Sequence, residues 1–467
     1  MRESVERELK FVPGESFELP ALGTELPPRT FVSTYYDTPD LRLARRGVTL
    51  RHRVEDGTRL WQLKLPRGAS RTELEVQGPP ARPPAKLLDL LVAHLRGHEL
   101  VRVARLRTRR RRLLADGAEI VDDSVSVLDG QRVTARFREL EVELVDGDEE
   151  ALHRLERALR EAGAEPAEFP SKLSRVLGLA DPAEAEKPGT EAPPAELLRA
   201  ALRDQYERLL AHDPGTRLGT DPEHLHQMRV ATRRARAFLR AARPLLDEEW
   251  ASALRDELGW LGSVLGPARD LDVLVEHVRE EVEALGSGHG LEGFVASLDR
   301  EHEETRPAVV AALSEDRYFA LLDRLEGVEP ELTEGSGETL GKLWLDEFRR
   351  TRRAFEKLDS DSADAELHAA RIKVKRARYA AELAERELGD PGEKFVAAAK
   401  RLQDVLGEHQ DAVVAEQRLS AWAEADPARA EAAERLHERE RERRQDARSA
   451  WPAAWKKLRK RARKVHA

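Results

Sequence analysis

The chain has 467 residues, 36% of them charged and none of them cysteine, which excludes disulfides, thiolate metal sites and cysteine nucleophiles. A net charge of −9 argues against a uniformly basic nucleic-acid binder, and no window approaches the roughly 18 apolar residues of a membrane span. The opening MRESVERELKF is charged where a signal peptide is apolar, so the expectation is a cytoplasmic protein.

In chain order, alternating runs predict strands over 5–12, 48–54, 59–65, 71–77, 101–109, 118–121 and 136–145, with helices over 85–96 and 149–162. Residues 180–194 hold four prolines and a glycine without apolar periodicity and read as a linker. Beyond it the apolar period is near 3.6, in long Ala/Leu/Glu/Arg helices broken by Gly/Pro turns. The fold class expected is α+β: an N-terminal antiparallel β domain with flanking helices over 1–179, then an all-α domain over 195–467. The helical half is internally duplicated. The run from His226 through Arg229, Arg233 and Arg236 aligns with His368 through Arg371, Lys375 and Arg378 at an offset of 142. Leu265-Gly266 aligns with Leu406-Gly407, each read as a turn, at an offset of 141. This predicts two bundles of about four helices, over about 195–325 and 338–460.

Residues two apart share a strand face. Glu6, Glu8 and Lys10 share one; so do Arg51 and Arg53, Arg71 with Glu73 and Glu75, Arg107 with Arg109, and Glu139 with Glu141 and Glu143. A half-exposed sheet ordinarily shows mixed charges to solvent, whereas three glutamates on one strand face repel. The signs also sort by strand, acidic first and last, basic near 51 and 107. A closed barrel with a charged lumen would set carboxylates opposite arginines. Such a lumen suits a polyanion held by arginines, with a divalent metal on the glutamates.

These residues carry a resemblance. Glu6-x-Glu8-x-Lys10 resembles the ExExK signature of the CYTH family, the triphosphate tunnel metalloenzymes. So do Tyr36-Asp37-Thr38, Arg51-x-Arg53, Gln62-Leu63-Lys64, Arg71-x-Glu73-x-Glu75, Asp122-Asp123, Glu139-x-Glu141-x-Glu143 and Ser171-Lys172, an ordered set across about 175 residues. The resemblance implies an eight-stranded antiparallel tunnel and metal-dependent hydrolysis of a triphosphate. It would place Mg²⁺ or Mn²⁺ on Glu6, Glu8, Glu139, Glu141, Glu143 and Asp122, with Asp123 as the competing match to Asp122. Lys10, Arg51, Arg53, Lys64, Arg107, Arg109 and Lys172 would hold the phosphates; the register of the five arginines within 107–112 stays open.

In the helical half, Arg229, Arg233, Arg236, Arg240 and Arg243 step by four and three, one stripe of a single helix with no carboxylate in it. A solvated face would alternate signs. With the LHxxR and RRxR elements, each followed by an LGxxxD segment, this region resembles the CHAD domain, a duplicated helical family whose members bind inorganic polyphosphate. The resemblance implies phosphate contacts at His226, Arg229, Arg233, Arg236, Arg240, His368, Arg371, Lys375 and Arg378, although either histidine is as readily a cap or a packing residue. The tail over 456–464 has seven positive charges and reads as a supporting polyphosphate contact or a solvated end.

The whole reads as a metal-dependent triphosphatase whose helical half holds long polyphosphate or carries the enzyme to polyphosphate granules, with tripolyphosphate and long-chain polyphosphate as partners and no specific nucleic acid. The rivals are a polyphosphate-binding protein without turnover and, among the tunnel enzymes, an adenylate cyclase or thiamine triphosphatase.

Overall fold

The computed structural model describes the chain except residues 15–16, 69, 168–170, 180–188, 190–191, 287, 289, 332–338, 360 and 466–467. The expected linker at 180–194 falls mostly outside the described residues. The chain divides into two units, Met1–Glu186 and Lys187–Ala467.

The first unit is a single antiparallel sheet. Its strands are β1 (Arg2–Glu6), β2 (Glu8–Pro13), β3 (Thr24–Asp37), β4 (Thr49–Glu55), β5 (Thr58–Arg67), β6 (Ser70–Gln77), β7 (Val101–Ala115), β8 (Ala118–Asp129), β9 (Arg132–Leu144) and β10 (Ala164–Pro166), in the order β1-β6-β5-β4-β3-β7-β8-β9-β2-β10. The N-terminal run changes partner at Arg7. β1 pairs with β6 as far as Glu6 opposite Arg71, and β2 takes over on β9 with Glu8 opposite Glu143. The Arg7 carbonyl accepts from the Leu144 amide at 2.9 Å. Taking β1 and β2 as one bent strand, eight strands close a ring, and β10 is a three-residue addition to β2.

β3 is absent from the sequence-based expectation. Its first half carries Pro27-Pro28, which breaks the alternation, and the β3–β7 register slips between Leu26 and Arg29 where the prolines sit. One outer face is closed by α3 (Glu149–Glu161), whose Leu152, Leu155 and Leu159 pack on Phe11, Ile120, Leu140 and Val142. The helix expected over 85–96 is two single turns, α1 (Ala85–Leu88) and α2 (Val92–Leu95), the second stopped by Arg96 in the left-handed region. A short α4 (Lys172–Leu177), capped by Ser171, sets Leu173 among Tyr35, Leu106 and Val125.

The second unit is helical: α5 (Pro194–Leu218), α6 (Pro222–Ala241), α7 (Glu248–Leu285), α8 (Glu292–Ala312), α9 (Asp316–Glu326), α10 (Leu340–Phe355), α11 (Asp364–Leu383), α12 (Glu385–Glu424) and α13 (Ala430–Val465). Both ends of α6 and α11 are offset by 142, the repeat distance of the sequence. Gly266 and Gly407 lie inside α7 and α12, so the expected LG turns are helical and their glycines have another cause. No helix among the described residues is long and apolar enough to cross a membrane.

Candidate active site and polyanion cluster

Alternation points Lys10, Arg51, Arg53, Lys64, Glu73, Glu141 and their neighbours into the ring, where they line a cavity of about 330 Å³. Among the described residues, ten cationic side chains and six carboxylates line it, and Tyr35 is the one aromatic residue. The centre is Glu141, which sits opposite Lys10 across β2 and β9. Lys172 lies 2.7 Å from Glu141, Arg110 3.0 Å and Lys10 3.1 Å. Burial alone would raise the pKa of Glu141; the Lys172, Lys10 and Arg110 charges outweigh it and hold the carboxyl well below its ordinary range. Burial likewise works against Lys172, and Glu141, Glu139 and Asp123 carry its pKa up instead. Glu139 lies 3.0 Å from Lys172, its pKa raised by burial.

The other wall is built on β1, β4, β5 and β6. Lys64 pairs with Glu6, and lies 3.8 Å from Glu73. Glu6 is raised by burial and by its hydrogen bond to Glu73, whose own pKa is lowered, despite burial, by that bond and by Lys64. Arg51 donates to Gln62 Oε1 at 2.8 Å and to the Tyr35 hydroxyl at 3.3 Å, and Gln62 donates to Glu75 at 2.6 Å. The Arg53 guanidinium lies 3.7 Å over the Phe31 ring and pairs with Glu55.

Oxygens of Glu8, Glu141 and Glu143 all lie within 4.8 Å of one another. This all-oxygen donor set fits Mg²⁺ or Mn²⁺, hard cations that prefer carboxylates. Burial and the neighbouring Glu141 raise the pKa of Glu143, a repulsion that a divalent cation relieves. Of the six ligands expected, these three come together; Glu6 sits with Glu73, and Glu139 with Lys172.

Three expectations need correcting. Arg107 and Arg109 are exposed and do not line the cavity; Arg110 and Arg112, on the opposite face of β7, do. The β7–β8 register sets Arg110 opposite Asp123, and their side chains meet at 2.8 Å. Asp122 faces outward and pairs with Arg138 at 2.7 Å. Its neighbour Asp123, wholly buried, is the inward residue, 3.1 Å from Lys172. Gln62, Tyr35 and Arg71 were outside the expected set. Arg71 shares a strand face with Glu73 and Glu75 in the sequence and Gln62 opens the Gln62-Leu63-Lys64 motif, but neither is assigned a role there, and Tyr35 stands only beside the Tyr36-Asp37-Thr38 step.

In the helical unit, cations from both repeats converge. The Arg229 Nη1 donates to the Gly262 carbonyl at 3.0 Å. A Cβ at Gly266 would stand 3.2 Å from Arg229 Nη2, and one at Gly407 would stand 3.0 Å from Arg371 Nη2. The repeated glycine is thus the floor on which the repeated arginine lies, the reason it recurs within a helix despite its poor propensity. Arg233 crosses from α6 to donate to the Tyr379 hydroxyl at 2.8 Å, and Arg378 covers the Tyr379 ring. Lys375 is depressed to about 7 by burial and by Arg371, Arg233 and Arg378. The cluster is partly neutralised: Arg378 lies 3.5 Å from Glu382, and Asp411 acts on Arg371. Among the described residues, Nδ1 of His368 is buried without a hydrogen-bond partner. Burial, then Arg269, lowers the pKa of half-buried His226. Arg236 and Arg240 are exposed further along α6, with Arg376, Arg255 and Arg350 acting on Arg240. Arg243 leaves the stripe: α6 stops at Ala241, and Arg243 lies in a 3₁₀ turn paired with Glu248.

A closed strand ring with a lumen of carboxylates and cations, and a duplicated helical unit with converging arginines, are the features of a CYTH domain followed by a CHAD domain. The CYTH model matches residues 4–175 and the CHAD model residues 200–420, and the chain belongs to this CYTH–CHAD family. The uncharacterised protein Rv2226 of Mycobacterium tuberculosis is 34% identical over 430 residues, 84% of this chain and 82% of its own length. A thiamine-triphosphatase of Macaca fascicularis is 46% identical over 68 residues, 14% of this chain and 28% of that enzyme. Among solved structures, the CHAD domain of Ricinus communis aligns with a TM-score of 0.48 and 26% identity, covering 59% of this chain and 95% of that one. CYTH domains are those of triphosphatases and cyclase-like tunnel enzymes that use divalent metal ions, and CHAD domains are linked to polyphosphate binding.

Proposed function

We propose that the ring hydrolyses inorganic triphosphate with Mg²⁺ or Mn²⁺ and that the helical unit holds long-chain polyphosphate. The observation that carries the first part is the cavity lining, among the described residues ten cations against six carboxylates with a single aromatic side chain. It offers phosphates abundant donors and a base or thiazole ring only Tyr35. Lys10, Arg51, Arg53, Lys64, Arg110 and Lys172 bind and orient the phosphoryl oxygens; preorganised cations stabilise charge that develops during phosphoryl transfer. Glu8, Glu141 and Glu143 would hold the metal, which supplies charge neutralisation and lowers the pKa of water when bound. Lys172 and Lys10 keep Glu141 ionised and so available as a ligand. In the helical unit Arg229, Arg233, Arg371, Lys375 and Arg378 form the phosphate contacts, with His226, His368, Arg236 and Arg240 extending them.

The test is phosphate release from tripolyphosphate with each metal, wild type beside Glu8→Ala. Metal-dependent release, lost in the variant, supports the reading; no release from a folded wild type overturns it. The segment shared with thiamine-triphosphatase favours a second substrate reading, so thiamine triphosphate and ATP belong in the same assay. Binding of long-chain polyphosphate by wild type and by Arg233→Glu/Arg371→Glu tests the helical unit.

A further inference from the structure

The helix α13 contains its own control. Between 430 and 450 it carries six arginines, and all six meet carboxylates: Arg435 with Glu431, Arg439 with Glu281, Arg441 with Glu434, Arg443 with Glu408, and Arg444 and Arg448 with Asp364. From 456 the pattern stops. Lys456, Lys457, Arg459, Lys460, Arg461, Arg463 and Lys464 make no ion pair among the described residues, and all but Arg461 are exposed. Lys456 and Lys460, Arg459 and Arg463, and Lys460 and Lys464 are like-charge neighbours at i,i+4, which destabilises a helix. The favourable dipole at a helix C-terminus reaches only the last turn and leaves the earlier cations uncompensated.

The strip is also held rigid. Trp451, Trp455, Leu458 and Ala462 are buried on the other face of the helix. The Trp455 ring stacks on Phe355 of α10 with centroids 4.2 Å apart. The cations are therefore presented on a fixed surface about 12 Å long, at 1.5 Å per residue.

We propose that this strip is a second polyphosphate contact, made by residues other than those of the α6–α11 cluster. It rests on the polyphosphate reading of the helical unit. Three features choose the ligand. The tryptophans are buried and cannot stack bases, the usual device for single-stranded nucleic acid. No exposed large apolar side chain lies on α10 or α13, so a membrane would find no apolar face to insert. A duplex is broad, and on a chain of net charge −9 it would meet carboxylates beyond the strip. A thin flexible chain can follow the cations alone, since charges farther than a Debye length of about 8 Å are screened.

The experiment compares the full-length wild type, Lys456→Gln/Lys457→Gln/Lys460→Gln/Lys464→Gln, and Arg233→Glu/Arg371→Glu, binding long-chain inorganic polyphosphate across a salt series. Loss of four contacts should lower the slope of log affinity against log salt by about 3 and weaken binding about tenfold or more at low salt. Triphosphate turnover should stay unchanged, and the denaturation midpoint should hold or rise because like-charge i,i+4 pairs are removed. A tail variant with wild-type affinity and slope overturns the proposal and leaves the α6–α11 reading intact. A wild type that fails to bind polyphosphate overturns both. Tighter, tail-dependent binding of duplex DNA or of phosphatidylglycerol vesicles than of polyphosphate overturns the choice of ligand.

Discussion

Lys375 gives the sharpest test of the converging cations. Its amine is packed among Arg371 and Arg378 of its own helix and Arg233 of α6, with Asp411 of α12 the opposing charge, and burial with these arginines brings its pKa to about 7 from an ordinary 10.5. A polyphosphate chain laid on the cluster sets anionic oxygens beside the amine and returns its pKa toward the ordinary value. Binding then takes up a proton at Lys375 wherever the free amine is neutral, above about pH 7. Linkage fixes the sign: affinity rises as pH falls through 8 and levels off below about 6. With a free pKa of about 7 and a bound one well above 8, affinity should rise about tenfold between pH 8 and pH 6, or about 1.4 kcal/mol. The assay is titration with long-chain polyphosphate at constant ionic strength across this range, for wild type and Lys375→Arg. The arginine stays charged, so its profile retains only the contributions of other groups. Identical pH slopes for the two proteins would refute the placement of Lys375.

Other substitutions separate faces and partners. Arg110→Gln should lower triphosphate turnover at least tenfold while Arg109→Gln stays within about twofold; equal losses would mean that β7 does not present Arg110 inward. Glu141→Gln leaves Lys172, Lys10 and Arg110 without their central anion, and should both abolish turnover and lower stability by about 3 kcal/mol in a urea titration; a variant as stable as wild type would contradict its central place. Gly407→Ala puts a methyl 3.0 Å from Arg371 Nη2. It should weaken polyphosphate binding about threefold by displacing the guanidinium while holding or raising the melting temperature, because alanine is the better helix former by about 1 kcal/mol. A variant that melts lower would show that the glycine serves backbone packing instead.

What the sequence made legible was periodicity and charge on faces. Alternation alone set Glu6, Glu8 and Lys10 on one face and Leu9 and Phe11 on the other, and the repeat of 142 residues was visible in the two LHxxR helices. What stayed hidden depended on register. In Arg107–Arg112 both strand faces carry arginine, so no alternation distinguishes them; the pairing with Asp123 that does so is a tertiary contact between strands. Asp122 and Asp123 are the same case, adjacent and chemically identical until Arg138 claims one and Lys172 the other. The prolines of β3 concealed a strand because a bulge lets them stay in the sheet. Gly266 and Gly407 looked like turns because their real cause, an arginine lying on a helix backbone, leaves no local mark.

The partner change at Arg7 has a consequence for how the ring is made. The strand over 2–13 leaves the ribosome before the other strands of the ring, yet it is the seam that joins Ser70–Gln77 on one side to Arg132–Leu144 on the other. The first half finds its partner about seventy residues later, whereas the second must wait until residue 144 has emerged. Until then β2 and the growing sheet both expose open edges, the condition that invites wrong pairing and aggregation. Glu8, Lys10, Glu141 and Glu143 all lie on that last seam, so the charged lumen and the topological lock are completed in the same event. A chain that has zipped imperfectly there would lack the proposed metal and phosphate site as well as being open, which couples the quality of folding directly to the completeness of that site.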